Sequence, residues 1–193
     1  MGGRRKKNLA LREGIFIVGE GITEQYYFNH LKQIKKYNCI VKPRFFGNTD
    51  IAQIEKTVKN LLLGYVTIIC VFDADVSERN EVEKKKLEKF KRKYSKNKEV
   101  IICDSLPSIE FWFLLHYLRT NRNFPNSKMV VQELKKYITN YDKTEKFLEK
   151  SKWVEELVEK LTTACINAKN IKSGTGNSYS NIYKAIEKLE SFS

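Results

Sequence analysis

Four short apolar runs, each followed by a stretch of helical length, restrict this chain more than any other feature. Residues 14–19, 39–46, 66–72 and 99–103 read as strands, because each is an apolar or alternating run bounded by turn residues. Between them lie apolar side chains at helical spacing. Tyr26, Tyr27, Leu31 and Ile34 form one stripe, with Thr23 as its expected cap; Ile51, Ile54, Val58, Leu61 and Leu62 form another behind the turn Gly47-Asn48-Thr49-Asp50. Strands joined through helices need crossovers, so the expectation is a mainly parallel sheet flanked by helices, with 39–46 at an edge.

Two of these strands end in acidic turns. Glu20-Gly21-Ile22-Thr23-Glu24 follows the first, and Asp73-Ala74-Asp75 follows the third. In the common strand order 2-1-3-4 the winding reverses between strands one and three, and ligands bind beyond the carboxyl ends at that point. Glu20, Glu24, Asp73 and Asp75 are therefore expected to converge. Oxygen-only donors suit Mg²⁺ or Mn²⁺ bridging to a phosphate. Asp73 and Asp75 would hold the ion, and Glu20 would hold a second ion, activate water or protonate a leaving oxygen. Glu24, one helical turn past Glu20, faces the same side; its competing role is to complement the helix dipole.

The next segments carry charge. Residues 81–94 read as a helix with a thin apolar face, Val82, Leu87, Phe90 and Tyr94, and a basic face that includes Lys84, Lys85, Lys89 and Arg92. Pairs such as Glu81 with Lys85 and Glu88 with Arg92 would support it. A net charge of +13 makes polyanions natural partners, while a lysine-rich solvated surface explains the same composition. If nucleic acid is the partner, this face, Lys172 and the leader Arg4-Arg5-Lys6-Lys7 would contact backbone phosphates without reading sequence.

Pro107 is placed for the first position of a helix over 108–118 that is apolar on nearly every side, with Glu110 and His116 as its strongly polar members. After the polar turn 121–127 the pattern is helical, near 128–138, 151–170 and 178–192, with no further strand candidate. The expected organisation is a disordered basic leader over 1–12, an α/β core over 13–120 and a helical lobe over 121–193 packed on it.

Several classes are disfavoured. Cys39, Cys70, Cys103 and Cys165 are far apart and form no CxxC pair, so neither zinc nor a disulfide framework is indicated, and a reducing cytoplasm is expected. No apolar run reaches the ~18 residues of a membrane span. No GxxxxGK[ST] loop occurs. A haloacid-dehalogenase phosphatase would also place DxD at a strand end, with Ser105 after the next strand, but that pattern leaves Glu20 without a role.

A glutamate after the first strand and DxD after the third resembles the Toprim fold of topoisomerases, primases and OLD-type nucleases. More specifically, Val18-Gly19-Glu20-Gly21-Ile22-Thr23-Glu24, Phe72-Asp73-Ala74-Asp75 and the run from Ser105 through Pro107, Glu110, Trp112 and His116 to Tyr117 resemble the RloB family. Leu106-Pro107 stands where that family usually has Asn-Pro, and Asn177-Ser178-Tyr179-Ser180 lacks the proline of a later Asn-Pro-x-Thr element. The resemblance implies a four-stranded Toprim core and an Mg²⁺-dependent nuclease of bacterial defence or restriction-linked loci, acting on DNA or RNA beside an ATPase partner. It leaves open a subunit that binds nucleic acid without cutting, and a homo-oligomer. Glu110 is either a further metal ligand or a carboxylate satisfied at a helix start. His116 is either a base or a hydrogen-bonded core histidine.

Overall fold

The structure, a computed structural model, describes residues 14–42, 51–64, 67–75, 81–171 and 176–192. The leader with Arg4, Arg5, Lys6 and Lys7, the turn Gly47-Asn48-Thr49-Asp50, Val66 and Lys172 lie outside the described residues. The chain is α/β. Strands β1 (Ile15–Gly19), β2 (Cys39–Lys42), β3 (Thr67–Asp73) and β4 (Val100–Leu106) alternate with helices α1 (Ile22–Lys35), α2 (Ile51–Leu62) and α3 (Glu81–Tyr94). Helices α4 (Ile109–Leu114), α5 (Ser127–Leu134), α6 (Glu145–Leu148), α7 (Lys152–Val158) and α8 (Leu161–Lys169) follow, then β5 (Tyr179–Ser180) and α9 (Tyr183–Glu190).

The sheet runs β2-β1-β3-β4-β5, with the first four parallel. This is the expected order, with β2 at the edge. The fifth strand is an addition. β5 pairs antiparallel with the end of β4, Ser105 opposite Ser180 and Leu106 opposite Tyr179. Two residues are too few to show an alternation of apolar and polar side chains, so the segment reads as helix in the sequence.

Period-two alternation decides the two cores. Ile15, Ile17, Ile69, Val71 and Cys103 face α1 and the later helices; Val18, Ile68, Cys70, Phe72 and Val100 face α2 and α3. On the first face Trp112 donates from Nε1 to the Tyr27 hydroxyl at 2.8 Å, and the rings of Tyr27, Phe113, Tyr141 and Trp153 pack edge-on or tilted. Burying such rings contributes roughly 1.5–3 kcal/mol each by apolar area. Thus α4, apolar on nearly every side, is enclosed as expected.

Boundaries differ where local chemistry overrides periodicity. The N-cap of α1 is Gly21, not Thr23, which lies in the first turn. Pro107 precedes the N-cap Ser108 of α4 instead of starting the helix, and Leu106–Pro107 is cis. β4 extends through Asp104 and Ser105, because their backbones pair with Phe72 and Asp73. The stretch 151–170 is two helices, as Lys160 leaves helical geometry at φ −111° and ψ 12°. On α3, Leu87, Phe90 and Tyr94 are buried but Val82 is exposed. The pairs Glu81–Lys85 and Glu88–Arg92 do not form among the described residues; Lys86 pairs with Glu83 at 2.6 Å, and Lys93 reaches Glu55 on α2 at 2.5 Å. No helix among the described residues is long and apolar enough to cross a membrane.

Candidate active site

Register alone brings the acidic turns together. β1 and β3 pair up to Gly19 opposite Val71, and the Glu20 N–H donates to the Val71 carbonyl at 3.1 Å. The Asp73 N–H then donates to Glu20 Oε2 at 3.3 Å. Glu20 therefore lies across the end of β3. Asp73 accepts at Oδ1 from the Ile109 N–H at 2.8 Å, which satisfies one of the open donors at the start of α4. A single aspartate thereby ties the centre of the sheet to the third motif.

Glu24 occupies the third position of α1, where the backbone amides of Glu24 and Gly21 favour its charged form. The helix-start role is thus present. So is the site role, because the same carboxylate lies over the acidic turn: a Cβ on Gly21 would stand 2.5 Å from Glu24 Oε2, and one on Gly19 would stand 3.0 Å from Glu24 Cβ. Gly21 has φ −115° and ψ 173°, ordinary extended backbone. Space for the Glu24 carboxylate, not conformation, is what favours glycine there.

Glu110 joins them from α4. It is fully buried, and side chains satisfy it in place of backbone amides. Ser108 Oγ donates to Oε2 at 2.6 Å, the Tyr141 hydroxyl to Oε1 at 3.2 Å, and Lys143 Nζ pairs with Oε1 at 2.9 Å. Lys143 comes from the loop between α5 and α6 and keeps 45% of its side chain exposed.

The charges press on one another. Burial first, then the Glu24 carboxylate, pushes Glu20 up to about 7, with Asp75 and Glu83 on α3 adding to the rise and the Asp73 N–H opposing it. Glu24 is raised by burial and by Glu110, and Asp73 well above its usual range by burial, Glu24 and Glu110. Burial works against the Lys143 ammonium, but Glu110, Asp73 and Glu24 together outweigh it and hold its pKa above the ordinary value. Burial and Glu110 push the Tyr141 phenol up too, keeping it a neutral donor. Five carboxylates thus share one neighbourhood with Lys143.

His116 does not belong to it. Its Nδ1 lies 3.0 Å from the Trp112 carbonyl, its ring packs edge-on to Trp112, and burial lowers its pKa to about 4. It is a neutral core histidine. Lys84, Lys85, Lys89 and Arg92 lie on the solvent face of α3, as an exposed basic helix requires. Ser108, Tyr141 and Lys143 escape sequence reasoning: Ser108 is legible only as part of the third motif, and the other two sit in a polar loop with no periodic signal.

The expected convergence is looser than four carboxylates around one point. Among the described residues no three acidic, histidine or cysteine side chains are placed to share an ion, since Asp73 and Glu110 are held by protein donors. The donor chemistry nonetheless fits a hard cation. The groups are oxygen-only and buried or half-buried, and desolvation together with neighbouring carboxylates raises the pKa values of Glu20, Glu24 and Asp73.

A parallel sheet with clustered carboxylates beyond its carboxyl ends defines an α/β protein with its candidate site at the switch between β1 and β3. The model of the RloB-like protein family matches residues 15–189, nearly all of the chain, so the chain belongs to that family. No curated protein and no solved structure matches it.

Proposed function

We propose that the chain is a Toprim-type, Mg²⁺- or Mn²⁺-dependent nuclease that hydrolyses DNA or RNA phosphodiesters, working in bacterial defence or restriction-linked systems beside an ATPase partner. The observation that carries this reading is the gathering of Glu20, Glu24, Asp73, Asp75 and Glu110 from separate segments, with the pKa values of Glu20, Glu24 and Asp73 raised by burial and by neighbouring carboxylates. Stability alone does not favour buried like charges. Asp73 and Asp75 would hold the ion, with Glu24 supporting them. Once bound, it would supply charge neutralisation for the phosphodiester and activation of water.

The protein groups do the rest. Glu20, at about 7, is poised to exchange a proton with an attacking water or a leaving oxygen near neutral pH. Glu110, anchored by Ser108 and Tyr141, holds Lys143 at the rim, where its half-exposed ammonium can meet a phosphate oxygen. The exposed basic face of α3, with Lys84, Lys85, Lys89 and Arg92, would hold the strand by its backbone.

The test is incubation of the full chain with plasmid, single-stranded DNA and structured RNA in Mg²⁺, Mn²⁺ or EDTA, beside Glu20→Gln and Asp73→Asn. Cleavage in metal that is lost in both variants is expected. Cleavage unchanged in both would sink the acidic-centre mechanism. Salt-sensitive binding without cutting in any metal would replace it with a nucleic-acid-binding subunit. Hydrolysis of a simple phosphomonoester, lost in Asp73→Asn alone, would point to a phosphatase.

A further inference from the structure

A cleft of about 600 Å³ opens at the edge of the sheet beside β4, between the end of α3 and the start of α9. Its floor is the outer edge of β4. β5 pairs only with Ser105 and Leu106, so Val100–Ile102 have no strand beyond them among the described residues. Asp104 lies at its inner end, 3% exposed, and accepts from three elements: Lys91 of α3, the Tyr179 hydroxyl of β5 at 2.8 Å, and Asn181 Nδ2 at 2.7 Å. The Asn181 N–H also donates to the Asp104 carbonyl at 2.8 Å.

This network fixes what the cleft can offer. A carboxylate only accepts, so Asn181 must turn its NH₂ to Asp104, which leaves Oδ1 as an acceptor for a ligand N–H. Lys91 has ammonium protons beyond the one given to Asp104. Lys184 lines the opposite wall, is exposed, and has no ion pair among the described residues. Tyr179 adds ring surface, with the largely buried Tyr94 behind it, over an apolar floor of Ile101 and Ile102. An amide acceptor, cations and aromatic surface in a volume suited to a small ligand match a base and its phosphate.

We propose that this cleft binds a nucleoside phosphate, either free or as one unit of a single strand, at a site separate from the acidic centre. The test is calorimetric titration of the full chain in EDTA with adenosine 5′-monophosphate, a 5′-phosphorylated oligoadenylate and inorganic phosphate. Ser95→Trp, at an exposed cleft position, is expected to abolish binding by filling the space. Lys184→Ala is expected to weaken it by about tenfold, the worth of one charged contact. Binding of the monophosphate with this dependence identifies a free-nucleotide site; binding of the oligoadenylate alone with the same dependence identifies a strand subsite. Absence of binding by both, indifference of the binding to both substitutions, or equal affinity for inorganic phosphate overturns the proposal. Glu20→Gln is expected to leave this binding unchanged, so failure of the cleft and failure of the nuclease reading are separable.

Discussion

Lys143 is the residue on which the acidic centre depends most directly, because it brings a positive charge to carboxylates that otherwise repel one another. Replacing it by methionine leaves Glu110 buried with only hydroxyl donors. Because the lysine is half exposed, solvent screening reduces the cost to about 1–2 kcal/mol, well below that of a fully buried pair. Thermal unfolding should show this loss in EDTA, and Mg²⁺ should restore more stability to Lys143→Met than to the parent. Equal Mg²⁺ shifts in the two proteins would contradict the placement of Lys143. Gly21→Ala tests the other side of the cluster. The backbone tolerates alanine, and the clash is with the far end of the Glu24 side chain, so stability should change by less than about 1 kcal/mol. Metal-dependent cleavage should nevertheless drop sharply, because the Glu24 carboxylate must leave its place. Retained cleavage with a displaced Glu24 would remove that residue from the site.

At the scale of elements, the Asp73 contact with the start of α4 separates structure from chemistry. Asp73→Asn keeps an oxygen for the Ile109 N–H and removes one of the repelling charges, so unfolding should be unchanged or shifted upward while cleavage is lost. Asp73→Leu removes the acceptor as well and should cost about 1 kcal/mol, as other lost helix-start acceptors do. Equal stability in both variants would show that the contact carries no structural weight. The same pair of elements shows what a sequence can reveal. Glu20 and Asp73 were legible because a carboxylate ending an apolar run stands out, and the observed strand order is the common one for a sheet joined by crossovers. Tyr141 and Lys143 were not, because their roles arise from contacts across a loop, with Tyr141 lying 31 residues from Glu110, and lysine is too common here to be a signal. β5 escaped because its place is set by pairing with Ser105 and Leu106 and not by any pattern of its own. Glu24 could not be assigned to one role from spacing, and its geometry serves both helix start and site.

For the whole molecule, a basic chain built around a buried acidic centre should respond to pH in a direction opposite to ordinary acid denaturation. Glu20 titrates near 4.5 unfolded and near 7 folded, so the folded state holds the proton more tightly across that interval. Its contribution to stability is complete below the unfolded value and is lost as pH rises through the folded one. Glu24 and Asp73 move in the same direction for the same reason. Asp104 moves the other way below the ordinary aspartate range, since its hydrogen bonds and Lys91 outweigh burial, and the buried His116, lowered to about 4, offsets part of the fall between about pH 5 and 6.5. A tenfold gain in proton affinity on folding corresponds to about 1.4 kcal/mol, and for a chain of this size 1 kcal/mol moves Tm by roughly 2–4 °C. In EDTA, Tm should therefore fall by on the order of 5–10 °C between about pH 5 and pH 8. A divalent cation should reverse most of the fall at the upper end, where the carboxylates are ionised, and little at the lower end, where protons already neutralise them. Glu20→Gln should flatten the EDTA profile by removing one titrating group. A Tm that rises with pH in EDTA, or a Mg²⁺ effect equal at both ends, would mean that the carboxylates are not held together as a charge-deficient centre.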